Sequence, residues 1–204
     1  RAKTLQIELG CPEEKIQVTP NGIDVAGFAD IPGKSPKEEQ IISIGAVLRV
    51  SPIKDVKTMI QAFAFAKKKV PNLKLWIMGP TDEDEKYAQE CFDLVDSLGV
   101  SDIEFTGRVN VKEYLGRMDF TILTSISEGQ PLTILESYAA HKPTIATDVG
   151  NCRELIFGND DGFGAAGILT HIMNLEEIAQ AMIDLAVDPE GRKRMGEAGY
   201  KRVT

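Results

Sequence analysis

Short apolar runs alternate with stretches of helical periodicity along most of this chain, and that alternation limits the fold more than any other feature. IISIGAV (41–47), LKLWIM (73–78), DIEFTG (102–107), DFTILT (119–124), PTIATDV (143–149) and GILT (167–170) read as strands. Most are apolar on both faces, which suits a parallel sheet covered by helices on either side. The repeated order of strand and helix predicts a doubly wound α/β domain with right-handed crossovers. In such sheets ligands bind beyond the carboxyl ends of the strands, so the segments just after each strand are the ones to search.

The helical segments carry their own punctuation. In DVKTMIQAFAFAKKKV (55–70), Val56, Met59, Ile60 and Phe63 fall at helical spacing. Asp55 stands where it can cap the start, and Lys67 to Lys69 occupy the last turn, where the helix dipole favours cations. Residues 82–98 begin acidic and stop at Leu98-Gly99, and residues 111–116 read as a short helix. Residues 131–140 read as another, starting at Pro131, a good first helical residue. Asn174 with Glu177 has the form of a capping box for a helix over about 175–187. Asp188-Pro189 opens a last helix rich in Arg and Lys, and the segments 30–40 and 157–166 read as loops. GFGAAG (162–167) has the spacing of a dinucleotide fingerprint, but it follows the polar stretch GNDD and leads into a strand instead of opening a helix. That is the wrong context for a dinucleotide site, and the motif reads as a loop of small residues.

Composition excludes several classes of partner. The 204 residues suffice for one large domain, and with 43 % hydrophobic residues a sizeable core is available. A net charge of -8 disfavours nucleic acid and wide contact with anionic lipid, both of which need dense positive surface. No apolar run approaches the roughly 20 residues of a membrane span, and no signal-peptide pattern is visible. Cys11, Cys91 and Cys152 are far apart and form no metal-type spacing, which reads as reduced packing cysteines of a cytoplasmic protein. Position 1 is Arg within a helical pattern, so an N-terminal part of the natural protein is expected to precede it.

The chemistry gathers at two loops. SEGQPLTILE (127–136) follows the strand DFTILT and carries Glu128 in the loop and Glu136 inside the next helix. Pro131 donates no N–H, but Leu132 and Thr133 do, and their amides are unpaired at a helix start that also carries about half a positive charge. Such a start receives anions, phosphate above all. At about 1.5 Å per residue, Glu136 lies roughly 7–8 Å along the axis from the helix start. One reading grips an elongated ligand at separate points, with Glu136 accepting from a sugar diol such as ribose and Glu128 from a second sugar across a diphosphate. The other makes Glu128 a residue that favours the helix start and Glu136 a solvated surface group.

LRVSPIKD (48–55) supports the first reading. Arg49 and Lys54 bracket a turn that leads into another helix start. A guanidinium fork and a mobile ammonium suit two phosphate groups, although either is also common as an ordinary surface cation. In an acidic chain, two cations and two helix starts at one edge predict a locally positive pocket. Charge-assisted bonds contribute about 1.5–3 kcal/mol each, and three or four of them, less ordering costs, support binding near the micromolar level, about 8 kcal/mol.

These residues resemble a known family. RVSPIK (49–54), FTGRV (105–109), EGQPLTILE (128–136) and DVGNCRELI (148–156), with VTPNGID (18–24) as an opening segment, are similar to the C-terminal half of the GT-B glycosyltransferases of family 4, the retaining nucleotide-sugar transferases. The form of these motifs looks closest to the PelF-type exopolysaccharide branch. The resemblance covers about residues 5–202 and implies a Rossmann-like domain that binds a UDP-sugar, UDP-glucose in that branch, for transfer to a polysaccharide or other glycan. It implies that Arg49 and Lys54 hold the diphosphate and act in catalysis with Glu128, which contacts the donor sugar. It implies that Val109 meets the base through its backbone, that Glu136 binds the ribose, and that Gly129, Gln130, Pro131, Leu132 and Thr133 complete the phosphate site. It implies no metal and no cofactor, an N-terminal acceptor domain absent from this chain, a cut final crossover helix, and for the full protein a peripheral complex at a membrane.

Three positions depart from the family pattern. Leu48 replaces a glycine before Arg49, His141 replaces a glycine after the 131–140 helix, and Gly150-Asn151 replaces Gly-Gly. His141 and His171 read as structural. A nucleotide-sugar epimerase of the same fold and a non-catalytic nucleotide-sugar sensor remain alternatives, whereas Arg49 and Lys54 argue against a flavodoxin-like regulatory domain with an acidic first strand end.

Overall fold

The computed structural model describes residues 2–17, 19 and 21–204, so Val18 and Pro20 of VTPNGID lie outside the described residues. The six apolar runs form β1 Ile42–Val47, β2 Leu73–Met78, β3 Ile103–Gly107, β4 Phe120–Leu123, β5 Thr144–Thr147 and β6 Gly167–Thr170. They pair in parallel in the order β3-β2-β1-β4-β5-β6. The chain winds outward from β1 in one direction and from β4 in the other, so the reversal lies between β1 and β4. In this doubly wound arrangement a crevice opens at that switch point, beyond the carboxyl ends of the strands.

Helices cover both faces because successive strand residues point to opposite sides. The elements are α1 Ala2–Glu8, α2 Val56–Lys69, α3 Glu85–Leu98, α4 Lys112–Leu115, α5 Leu132–Ala139, α6 Cys152–Phe157, α7 Leu175–Val187 and α8 Pro189–Val203. On one face Ile44, Ala46, Phe120 and Ile122 pack with Phe63 of α2 and Met182 and Leu185 of α7. On the other, Leu123 and Ala146 pack with Ile134 and Tyr138 of α5, Leu155 of α6 and Ala198 of α8. Full burial of a side chain such as Phe63 stabilises by about 1.5–3 kcal/mol. On the second face the hydroxyls of Thr121 and Thr144 meet 2.7 Å apart, so the buried polar groups of neighbouring strands satisfy each other.

Several local expectations change form. Asp55 occupies the cap position of α2, but with φ 47° and no side-chain bond to a helix amide. Its Oδ1 accepts from the Thr58 hydroxyl at 2.9 Å, and its Oδ2 is buried without a partner. Only half of the capping box forms: the Asn174 side chain accepts from the Glu177 amide, while the Glu177 carboxylate turns to the amide and ring of His171. The segment DVGNCRELI, for which no helix was expected, leads into α6. Helix α3 starts at Glu85, capped by Asp84, so Asp82 and Glu83 stand in the turn before it. GFGAAG lies in the loop leading to β6, in keeping with its context in the sequence.

His141 has φ 55° just after α5, as a left-handed helix end requires. Its ring stacks on Tyr200 with centroids 3.9 Å apart. A Cβ on Gly196 would stand 2.2 Å from the His141 carbonyl oxygen, so α8 lies close against the end of α5.

Candidate active site at the switch point

Past the end of β1 the chain stays bound to the continuation of β2. The Leu48 amide donates to the Met78 carbonyl and the Val50 amide to the Pro80 carbonyl, both at 3.0 Å. Leu48 is buried here, and the close approach that the absent glycine would allow is met from the other side. Gly79 has φ 149°, and a Cβ there would lie 1.9 Å from the Leu48 oxygen. The chain then turns through the short 3-10 segment Pro52–Lys54 into α2.

This turn is tied to the loop after β4. The Ile126 amide donates to the Ile53 carbonyl at 2.8 Å, and the Thr124 hydroxyl reaches the carbonyls of Lys54 and Asp55 at 2.9 and 3.2 Å. The result places Lys54 Nζ 2.5 Å from Glu128 Oε1. The Ser125 hydroxyl donates to the same carboxylate oxygen at 2.7 Å, and the Ser125 carbonyl accepts from Thr147 at 2.6 Å. The pair is largely enclosed, with Lys54 17 % and Glu128 12 % exposed. Two residues that the sequence placed in separate loops are thus direct partners.

The expected positive pocket is charge-compensated among the described residues. Arg49 Nη1 lies 3.0 Å from Glu83 Oε2, and Arg108 Nη2 lies 3.1 Å from Asp82 Oδ1 and 3.7 Å from Glu83 Oε1. These outer pairs are exposed and contribute little to stability. The three cations still border one cleft of about 500 Å³, together with Met78, Val109 and Thr133. Its apolar wall continues into a cluster of Trp76, Met78 and Met118, against which Val47, Val109 and Tyr114 pack.

The α5 start faces the same cleft through Thr133. Pro131 is extended, with φ -72° and ψ 116°, and its carbonyl accepts from the Ile134 amide, which leaves the Leu132 and Thr133 amides at the open helix end. Gly129 is held from behind, its carbonyl accepting from the Asn151 amide at 2.9 Å. Gln130 is engaged by Asn21. Its Oε1 accepts from the Asn21 amide at 2.7 Å and its carbonyl from the Asn21 side chain at 3.0 Å. It lines a neighbouring cavity of about 370 Å³ with Asn21, Asn151 and Arg202.

Glu136 lies one turn beyond Thr133 on the same side of α5. It is half-buried, and that burial raises its carboxyl above the ordinary value, with the Lys112 charge opposing. A folded chain that holds the proton more tightly than the unfolded chain loses stability as pH rises from the unfolded value near 4.5 through the raised folded one. Glu136→Gln should therefore melt at a higher temperature than the parent at pH 7, with the gap closing toward pH 4 in a series of thermal melts. A lower melting temperature at pH 7 would show that the ionised carboxylate is held by a partner.

Arg108, Glu83 and Ser125 were missed as site residues. Arg108 precedes Val109 in FTGRV, and Glu83 belongs to the acidic run TDEDE, so both had a signal in the sequence; Ser125 had none. The thiols of Cys91 and Cys152 are pushed up by burial to about 11 and about 12, which makes them packing groups. Among the described residues no cluster of His, Cys, Asp and Glu is arranged to hold a metal, and no helix is long and apolar enough to cross a membrane.

Comparison with known proteins bears on this geometry. The family model described as glycosyl transferases group 1 matches residues 28–202. The putative glycosyltransferase EpsD of Bacillus subtilis is 31 % identical over 150 residues, which cover 72 % of this chain and 37 % of that protein. Among solved structures, HepE of Anabaena in complex with UDP-glucose superposes with a TM-score of 0.83 at 20 % identity, covering 99 % of this chain and 56 % of that one. The C-terminal domain of the group 1 family protein LpcC from Francisella tularensis superposes with a TM-score of 0.74 at 25 % identity, covering 89 % and 96 %. The chain spans only 37 to 48 % of the length of the first curated relatives it matches. With the family match running over most of its length and a fold shared with the C-terminal domain of LpcC, this chain belongs to the group 1 glycosyl transferases.

Proposed function

We propose that this chain is the donor-binding half of a retaining glycosyltransferase, which takes UDP-glucose and serves transfer of the sugar to a polysaccharide or other glycan, as in the PelF-type exopolysaccharide branch. The observation that carries the reading is the convergence of Arg49, Lys54, Val109 and Thr133, from three separate segments, on one cleft beside the switch point. The UDP-glucose bound to HepE, a protein of the same fold, supports the choice of donor.

Each residue then has a task. Arg49 and Lys54 bind the diphosphate and stabilise the charge that grows on the leaving UDP as the glycosidic bond breaks. The Leu132 and Thr133 amides add the field of the α5 start, with Gly129, Gln130 and Pro131 shaping the turn into it. Val109 meets the base through its backbone and Glu136 accepts from the ribose hydroxyls. When Lys54 exchanges its carboxylate for a phosphate, Glu128 becomes available to the hydroxyls of the donor sugar. Fixed cations and amides neutralise the leaving group, so we read the reaction as metal-independent, and an N-terminal domain as the source of most acceptor contacts.

Calorimetry of the chain with UDP-glucose, GDP-mannose and ADP-glucose, with and without EDTA, tests this. UDP-glucose should bind best, at about the micromolar level, and EDTA should change nothing. The chain alone should transfer no labelled glucose. Binding of none of the three sugars would overturn the donor site, robust turnover would overturn the two-half reading, and loss of binding in EDTA would overturn metal independence.

A further inference from the structure

The reading of the cleft as a diphosphate site leaves one feature unexplained, the carboxylate of Glu83 between two of the three cations. One oxygen of Glu83 faces Arg49 at 3.0 Å, and the other faces Arg108 at 3.7 Å. Both guanidiniums border the cleft. A single anionic group that spans two guanidiniums, one oxygen to each, uses the same donors that a bridging phosphate uses. Glu83 reaches this place because α3 begins only at Glu85, which leaves Asp82 and Glu83 in the turn beside Pro80, where β2's continuation meets the Arg49 turn.

We propose that Glu83 is an internal phosphate surrogate, which a phosphate-bearing ligand must displace from Arg49 and Arg108 in order to bind, so that it holds down the affinity of this site for its donor. The proposal rests on the donor-site reading above. Glu83 is 37 % exposed and Arg49 58 %, so the contact is a weak surface pair that a more highly charged ligand can replace. A nucleoside offers nothing in exchange for the carboxylate, and a monophosphate offers less charge than a diphosphate. The third carboxylate, Glu128, is enclosed beside Lys54 and braced by Ser125, so it is not exchanged as freely. Glu83 therefore acts as an internal competitor for Arg49 and Arg108, which opposes the phosphates and leaves recognition of base and sugar untouched. The device weakens a ligand by no more than the free energy of breaking the pair, so a ligand that displaces the carboxylate fully loses most and one without phosphate loses nothing.

The test compares Glu83→Gln with the parent chain in titrations of UDP, UMP and uridine. Gln keeps the side-chain length and removes the competing charge. Removing a surface pair of this kind should tighten UDP binding about three- to fivefold. UMP should gain no more than UDP, and uridine should be unchanged. An exposed pair predicts an unaltered melting temperature, so the variant remains interpretable. Unchanged or weaker UDP binding in Glu83→Gln overturns the proposal, because it makes Glu83 a bystander or a direct ligand contact. Lys54→Ala in the same series separates the two levels of inference. If that variant weakens UDP binding while Glu83→Gln does nothing, only the surrogate role falls. If it leaves UDP binding untouched, the donor-site reading falls as well.

Discussion

Lys54→Ala is expected to weaken UDP binding by about 1–3 kcal/mol, the scale of one lost charge-assisted bond, and to destabilise the fold as well. The second effect follows from the enclosure of the Lys54–Glu128 pair. Removing the ammonium leaves a carboxylate that is only 12 % exposed, with the Ser125 hydroxyl as its remaining close partner. Breaking a fully buried pair costs about 3–5 kcal/mol, and partial access of water here reduces the expected loss to about 1–3 kcal/mol. Lys54→Ala/Glu128→Ala removes the stranded charge along with its partner. It should recover most of the stability and none of the UDP affinity. Denaturant unfolding and calorimetry on the parent, the two single variants and the double variant make a complete cycle. Recovery of affinity in the double variant would show that Lys54 acts only by neutralising Glu128.

The second large effect is expected at Gly150. Its φ is 56°, and a Cβ there would stand 2.2 Å from the Glu128 carbonyl oxygen and 2.5 Å from that of Gly129. Both obstacles are backbone, so no side chain can swing aside, and the 128–130 loop must move. The adjacent bond from the Asn151 amide to the Gly129 carbonyl is strained by the same displacement. Gly150→Ala should lose about 2–4 kcal/mol of stability, as expected of a strained left-handed residue with a backbone clash. It should also weaken UDP binding more than tenfold, because Glu128 and the start of α5 leave their places together. Gly129→Ala is the control, since a Cβ there meets nothing within 4 Å. It should change stability by no more than about 0.5 kcal/mol. A Gly150→Ala variant that melts and binds like the parent would show that the loop is not held from behind.

Much of the frame was legible because it rests on local pattern. Each apolar run became a strand, and the doubly wound arrangement followed from runs that were apolar on both faces. Arg49, Lys54 and Thr133 were found by their positions after strands and Val109 by the family resemblance, and they do share a cleft. His141 was legible as a structural residue in the place of a glycine after a helix. Helix α6 was not, because its six residues are too few to display a period and it begins only where Gly150 turns the chain. Asp55 was placed correctly as the first residue before α2, yet its left-handed backbone and its bond to Thr58 follow from the 3-10 turn that precedes it.

Charge was the property least readable along the chain. Arg49 and Glu83 are 34 positions apart, and Lys54 and Glu128 are 74 apart. No periodicity relates residues so distant, and only the stacking of β2, β1 and β4 side by side brings their terminal loops together. Gln130, expected at the phosphate, is held toward Asn21 across 109 positions for the same reason. The sequence by itself determined the parallel sheet, its covering helices and the loops where a ligand is met, because burial and helix ends act over a few residues. Which cation faces which carboxylate was decided only by the tertiary structure, because Coulomb pairing depends on distance in space and the strand order alone sets that distance.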